Sequence, residues 1–239
     1  MQNMHPTKYP LLIKNGLNIQ AVFNIPELPE EIAAAIAVFT TDITRFKQLI
    51  VFAHGGRRMW ECLQASRFAG ADEPIDSFSI DLVRRYFAKA CSENRFEVLY
   101  PGNKPVIPLQ ELGKLAGWHH DSPFRVGVNQ LWGSWFAYRV VVLADTEFEP
   151  TPSLTAASPC HACMEKPCLS ACPAEALESS NFSLQLCIGY RLIENSKCKA
   201  QCLARLACPA GCEHQYSMEQ INYHYGRSLQ SIREYQSDK

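Results

Sequence analysis

Nine of the chain's eleven cysteines fall between positions 160 and 212, and this stretch limits the fold more than any other. It reads Cys160-His-Ala-Cys163-Met-Glu-Lys-Pro-Cys168-Leu-Ser-Ala-Cys172-Pro173, then Cys187, Cys198, Cys202, Cys208-Pro209 and Cys212. Packing alone does not ask for such a density. A disulfide framework or a set of thiolate ligands does. Disulfides belong to oxidising compartments and short secreted chains. This chain has 239 residues and opens Met-Gln-Asn-Met-His-Pro-Thr-Lys, without an apolar signal segment. Structural zinc is usually held by paired C-x2-C units, and only one C-x2-C occurs here. The bacterial ferredoxin run is C-x2-C-x2-C-x3-C-P, with its last cysteine serving a second cluster. Here the middle gap is x4, so Glu165 and Lys166 read as a small insertion.

Chain stiffness explains that pattern. Three nearby cysteines can wrap one face of an iron–sulfur cube, and the fourth must come from elsewhere. Proline after the last ligand turns the chain away, because it fixes φ and donates no hydrogen bond. Exchange of fourth ligands between two runs then gives two [4Fe–4S] clusters. The expected sets are Cys160, Cys163, Cys168 and Cys208 for one, and Cys172, Cys187, Cys198 and Cys202 for the other. The second run is irregular, so the spare among Cys198, Cys202, Cys208 and Cys212 stays open, with Cys212 as the substitute. Cys62 and Cys91 sit in helix-like apolar settings and read as small buried hydrophobes.

Charge narrows the partners. Residues 1–150 carry 15 basic and 16 acidic side chains, and residues 151–239 carry 8 and 8. Nothing resembles the basic stripe of a nucleic-acid binder. No apolar run approaches the length of a membrane span. The expectation is a soluble, cytoplasmic protein whose partner is a small-molecule electron donor or a redox protein.

The first 150 residues read as alternating short strands and helices, an α/β or α+β layer. Strands are expected at 20–25, 48–53, 96–100, 126–129 and 135–144, with helices at 30–39, 59–69, 76–92 and 108–116. In the third helix Asp76 is the expected cap, with Ile80, Val83, Phe87 and Ala90 on the buried face. His54-Gly-Gly-Arg57-Arg58 reads as a turn with two solvated arginines, or as an anion grip. His119 and His120 read as surface residues or cofactor contacts. Residues 149–159 hold three prolines and few large apolar groups, and mark the domain boundary. The expected layout is 1–150, 151–215 and a final helix over 216–239. That helix opens on a Ser217-x-x-Gln220 capping box and carries Ile221, Tyr225, Leu229 and Ile232 on one stripe. One helical turn is expected at 174–177 and a short element at 187–194.

Three segments together resemble one family. Ala116-Gly-Trp118, Asn129-Gln-Leu-Trp-Gly133-Ser-Trp-Phe136 and Cys187-Ile-Gly-Tyr-Arg-Leu-Ile-Glu194 are similar to signatures of the epoxyqueuosine reductases, in the same order around the first cysteine run. The resemblance covers about residues 96–212. It implies an α+β fold: a nitroreductase-like cobalamin-binding α/β domain followed by a ferredoxin-like two-cluster domain. It also implies cobalamin as a further cofactor, with Trp118, Asn129, Gly133, Ser134, Trp135 and Phe136 in contact with it.

The function so implied is an iron–sulfur oxidoreductase that passes electrons from two clusters to the cofactor and then to a small or nucleoside-type substrate. The family's Asp, in a D-[ST]-x-P pattern before the helix ending at Ala116-Gly117, is replaced here by Tyr100-Pro-Gly-Asn-Lys-Pro105. Tyr100 is the nearest acid, either a proton donor or a packed ring. The family also extends into a tRNA-holding helical region past the position of Lys239. The alternatives are a two-cluster electron carrier without catalysis and a cobalamin-handling protein.

Overall fold

The computed structural model describes residues 5–39, 42–102, 106–152, 156–178 and 181–237. The chain divides into two compact units. Unit one comprises residues 1–119 with 136–155, and unit two comprises residues 120–135 with 156–239.

Unit one is built on a four-stranded antiparallel sheet. After a helical turn α1 (Pro10–Lys14), the chain forms β1 (Ile19–Asn24), α2 (Glu30–Ala37), β2 (Gln48–Gly55), α3 (Arg58–Gln64), α4 (Pro74–Ala90), β3 (Phe96–Tyr100), α5 (Leu109–Leu115) and β4 (Phe136–Ala144). The strand order is β1-β2-β4-β3. All pairings are antiparallel, so the layer is α+β. All eight residues of β2 are buried, as a central strand covered on both faces requires. Its Gln48 is nevertheless polar. The amide donates to Asn24 and the Phe148 carbonyl, and accepts from Thr146 and the Phe148 N–H. A buried amide satisfied on every side avoids the desolvation penalty of an orphaned one.

Helix α4 packs on β4 through Ile75, Phe78, Leu82, Val83, Tyr86 and Phe87. Ile80 and Ala90, expected on that face, are only half-buried. Burial at 75, 78, 82 and 86 is a helical stripe rotated from the expected one. The helix starts on Pro74, whose missing N–H is harmless at a first turn. Asp76 therefore lies within the first turn and is not the cap. Phe87 stacks on Phe96 at 4.1 Å, tying the helix to β3. Arg84 and Arg85 are exposed.

The expected strand at 126–129 does not form. Those residues make only isolated bridges, His120 to Val128 and Asn129 to Gly133, and belong to unit two. The expected boundary segment is partly pinned: Thr151 exchanges hydrogen bonds with Val22, and Glu149 offers its carbonyl to His5. Residues 153–155 of that segment lie outside the described residues.

Unit two has no strand among its described residues. Its helices are α6 (Pro159–Ala162), α7 (Pro167–Ser170), α8 (Leu184–Leu192), α9 (Leu203–Leu206) and α10 (Met218–Ser237). Three of the five are four residues long, far below the length at which a helix holds itself. Helix α7 packs on α9, each just before a Cys-Pro. Residues 174–177 are a turn and not a helix, with Glu175 at φ 49° and Leu177 bridged to Phe182. At the start of α10 the Ser217 hydroxyl accepts from the Gln220 N–H. Ile221 and Leu229 of its stripe are buried.

Candidate functional site

The structure brings eight of the nine clustered cysteines into two groups of four. Cys160, Cys163, Cys168 and Cys208 line one cavity of about 630 Å³ in unit two. Helices α6 and α7 supply Cys160 and Cys168, and Cys208 follows α9. Cys172, Cys187, Cys198 and Cys202 form the second group: Cys187 feels Cys202, Cys172 and Cys198 electrostatically, and Cys198 feels Cys202 and Cys172. Cys212 lies on the surface and joins neither group. Among the described residues, no three His, Cys, Asp or Glu side chains converge tightly enough for a single metal ion. The corners of an iron–sulfur cube stand further apart than the ligands of one ion, so the two arrangements make different demands.

Burial pushes Cys168 above the usual thiol range, and Cys208, Cys160 and Cys163 push it further. Burial does the same to Cys208. The Ala210 N–H offsets part of that rise by donating to its sulfur, and the Arg205 guanidinium also pulls it down. Burial raises Cys198 too, opposed by the Leu203 N–H and by Arg191. Four thiols crowded in an apolar setting resist ionising together unless a cation is shared among them. Backbone N–H groups aimed at sulfur are the hydrogen bonds that tune iron–sulfur clusters. The donor set is of the type that iron–sulfur clusters use.

The Asn129–Phe136 segment is an internal brace. Asn129 and Gly133 exchange backbone hydrogen bonds of 2.8 and 3.0 Å. The Asn129 side-chain oxygen accepts from the Leu131 and Trp132 N–H groups. Gly133, at φ 55°, lies against Ala210, and a Cβ there would overlap the Ala210 carbonyl. Gly211, at φ 62°, faces Gly133 from the other side. Ser134 is fully buried and takes hydrogen bonds from Arg205 on both its hydroxyl and its carbonyl. Trp135 lies under the Arg205 guanidinium at 4.3 Å and against Tyr216. Arg205 was not among the residues expected from the sequence. The only signal for it was a lone arginine between two cysteines.

In unit one, Trp118 and Phe136 are buried. His119, also buried, hydrogen-bonds the Tyr138 hydroxyl through Nδ1 at 3.0 Å, so it is not a surface histidine. Tyr100 ends β3. Burial raises its phenol, Arg139 pulls it down and Asp76 pushes it up. The same Arg139 donates to Nδ1 of the fully buried His54 at 2.9 Å. Arg139 thus bonds His54 and lies within electrostatic reach of Tyr100, with Asn103, Lys104 and Pro105 outside the described residues. Arg57 and Arg58 are exposed, and Arg58 reaches the Lys14 carbonyl and Glu61. Cys91 is fully buried, while Cys62 is only half-buried and donates weakly to the Lys14 carbonyl.

No family model and no curated protein sequence matches the chain. Solved structures do. The epoxyqueuosine reductase of Streptococcus thermophilus aligns over 84% of this chain and 64% of its own, at 14% identity and a TM-score of 0.50. That of Bacillus subtilis, with its Asp catalytic loop swung out of the active site, aligns over 87% and 66%, at 14% identity and 0.51. An epoxyqueuosine reductase bound to a modified tRNA-Tyr stem loop aligns over 87% and 65%, at 13% identity and 0.50. The chain has the fold of epoxyqueuosine reductases. It spans just under two thirds of the length of these structures. No helix among its described residues is long and apolar enough to cross a membrane.

Proposed function

We propose that the chain is an iron–sulfur oxidoreductase related to the epoxyqueuosine reductases, with two [4Fe–4S] clusters in unit two. The observation that carries the reading is the grouping of Cys160, Cys163, Cys168 and Cys208 around one cavity, apart from Cys172, Cys187, Cys198 and Cys202. Each cluster, when bound, would supply one-electron transfer. The chain's own residues give that chemistry its setting. Phe124 and Phe182 line the first cavity with apolar surface and limit water at the sulfurs. The Ala210 and Leu203 N–H groups share the charge on Cys208 and Cys198. The partner in this reading is a small-molecule electron donor or redox protein.

The test is elemental. Protein purified without air, or reconstituted with iron and sulfide, should carry about eight irons and matching acid-labile sulfide per chain, as two four-iron clusters require. Zinc in their place, or four irons at most, sinks the reading.

A second reading, a two-cluster electron carrier, is favoured by one specific observation. The six residues that the sequence resemblance assigns to cobalamin are all buried, with Trp118, Asn129, Ser134, Trp135 and Phe136 at 9% exposure or less. They offer a corrin little surface. If the chain does reduce a substrate, Tyr100 is the proposed proton donor. Its raised phenol stays protonated at neutral pH, and Arg139 beside it would stabilise the phenolate left after transfer. Titration of the loaded protein with cobalamin separates the readings: a corrin spectral change supports the enzyme, and none supports the carrier. In the enzyme case Tyr100→Phe should lower turnover by about 10²-fold or more, and unaltered turnover removes Tyr100 from the chemistry.

A further inference from the structure

Two guanidinium groups lie inside unit two, Arg191 at 7% exposure and Arg205 at 8%. Neither meets a carboxylate among the described residues. Arg205 is shared by Ser134, the rings of Trp135 and Tyr216, and the Tyr225 hydroxyl. Arg191 is held differently. From α8 its Nε donates to the Cys198 carbonyl at 3.2 Å, and its two terminal nitrogens donate to Ser228 Oγ at 3.0 Å and the Tyr225 carbonyl at 2.9 Å. All three acceptors are neutral. The fork is therefore fixed in place over the Tyr225 ring, 5.4 Å from its centroid, with no carboxylate beside it among the described residues. A buried charge without an opposite one costs several kcal/mol, so a fold that builds one in implies an anion beside it. The groups within its electrostatic reach are the sulfurs of Cys187 and Cys198, one turn before it on α8 and at the bonded carbonyl.

We propose that Arg191 is the fixed counter-charge of the cluster held by Cys172, Cys187, Cys198 and Cys202, and that it keeps this cluster easier to reduce than its four thiolates alone would make it. This rests on the two-cluster reading above. The physics is a matter of sign. A four-thiolate cluster is anionic and gains a further negative charge on reduction. A cation locked nearby stabilises the reduced form more than the oxidised form, which raises the potential. Arg191 is a positioning residue in this account and touches no substrate. Arg191 reaches Cys187 and Cys198 of the second group, whereas Arg205 reaches Cys208 of the first, so loss of Arg191 should be felt by the second cluster alone.

The full chain, loaded anaerobically, is titrated with reductant and followed by electron paramagnetic resonance, with iron and sulfide counted in each sample. Cys187→Ser, which disturbs only the second group, identifies that cluster's signal. In Arg191→Met the signal so identified should move to lower potential while the other stays in place. Arg191→Lys keeps the charge and should load fully, with a smaller shift. A loaded Arg191→Met protein with both midpoints unmoved, or moved equally, overturns the proposal. If the Met variant fails to load, the Lys variant decides. Equal failure there means the three hydrogen bonds matter and the charge does not, and the proposal falls. Wild-type protein that binds no iron removes the two-cluster reading itself, a result distinct from either.

Discussion

The two units keep their shape by different means. Unit one has a sheet with eight consecutive buried residues in β2 and a seventeen-residue helix laid across it. Its apolar core includes Phe52, Tyr86, Phe87, Leu82 and Val142. Unit two has no such layer among its described residues. Its largest buried cluster around the first site is Phe124, Val128, Cys168, Ala204 and Cys208, so thiols occupy places where unit one puts aliphatic and aromatic groups. Three four-residue helices cannot persist on intrinsic propensity. Unit one is held by apolar burial; in the proposed reading, unit two would depend on its thiols being joined to one another through a metal.

The largest effect should therefore come from taking the iron away. Chelation and reoxidation should leave the sheet of unit one protease-resistant, and should open residues 156–237 to cleavage, as for small metal-dependent folds. Mass mapping of the fragments checks this. Equal resistance of both units in iron-free protein would show that unit two is self-supporting. The opposite perturbation, Phe52→Ala at a fully buried ring of β2, should cost unit one about 3–5 kcal/mol without changing the iron bound per folded molecule.

The next effect separates one cysteine from another. Cys168→Ser removes a buried sulfur from the first group and should lower iron by about half, leaving one cluster. Cys212→Ser changes a surface sulfur and should leave iron content unaltered. Iron analysis of the two proteins side by side is enough. A loss in Cys212→Ser would place Cys212 among the ligands.

Much of this contrast was legible in the sequence, though unevenly. Beta strands at 48–55 and 96–100 announce themselves as apolar runs, and each pairs antiparallel with β4 between them. The cysteine spacing points to the proposed metal site because ligand geometry is local. The 126–129 segment misled, since Val126 and Val128 look like a strand, while Val126 accepts from Ser122, Val128 pairs with His120 and Asn129 closes on Gly133. The role of Arg205 was invisible. Its partners Ser134, Trp135 and Tyr216 lie far from it in sequence, and a buried arginine is spelled like an exposed one.

Gly133→Ala tests the brace. A side chain at φ 55° costs about 1–2 kcal/mol in backbone strain alone, and here it would also strike the Ala210 carbonyl, two residues past Cys208. The expected result is a loss of at least about 2 kcal/mol with slower or incomplete loading of the first cluster. Gly189→Ala, which meets open space on α8, serves as the control and should be neutral or slightly stabilising. If both variants load alike, the turn does not set the position of Cys208.

The smallest effect is on pH, and its sign distinguishes the iron-free from the loaded state. Burial raises Cys160, Cys168, Cys187, Cys198 and Cys208 above their unfolded value of about 8.5. In the fraction of iron-free protein whose unit two is closed, the unfolded chain releases protons first, so it binds fewer than the folded chain between pH 8.5 and the raised values. Stability must fall as pH rises through that window and must be unaffected by these thiols below it. Once the thiolates are committed to clusters they no longer bind protons in the folded state, and the unfolded, metal-free chain binds more. Stability linked to these sulfurs should then grow with pH up to about 8.5 and level off. Thermal unfolding of the iron-free and loaded proteins from pH 7 to 10 should give slopes of opposite sign, the first falling above 8.5 and the second rising below it. Parallel curves would mean that the eight sulfurs are not what distinguishes unit two from unit one.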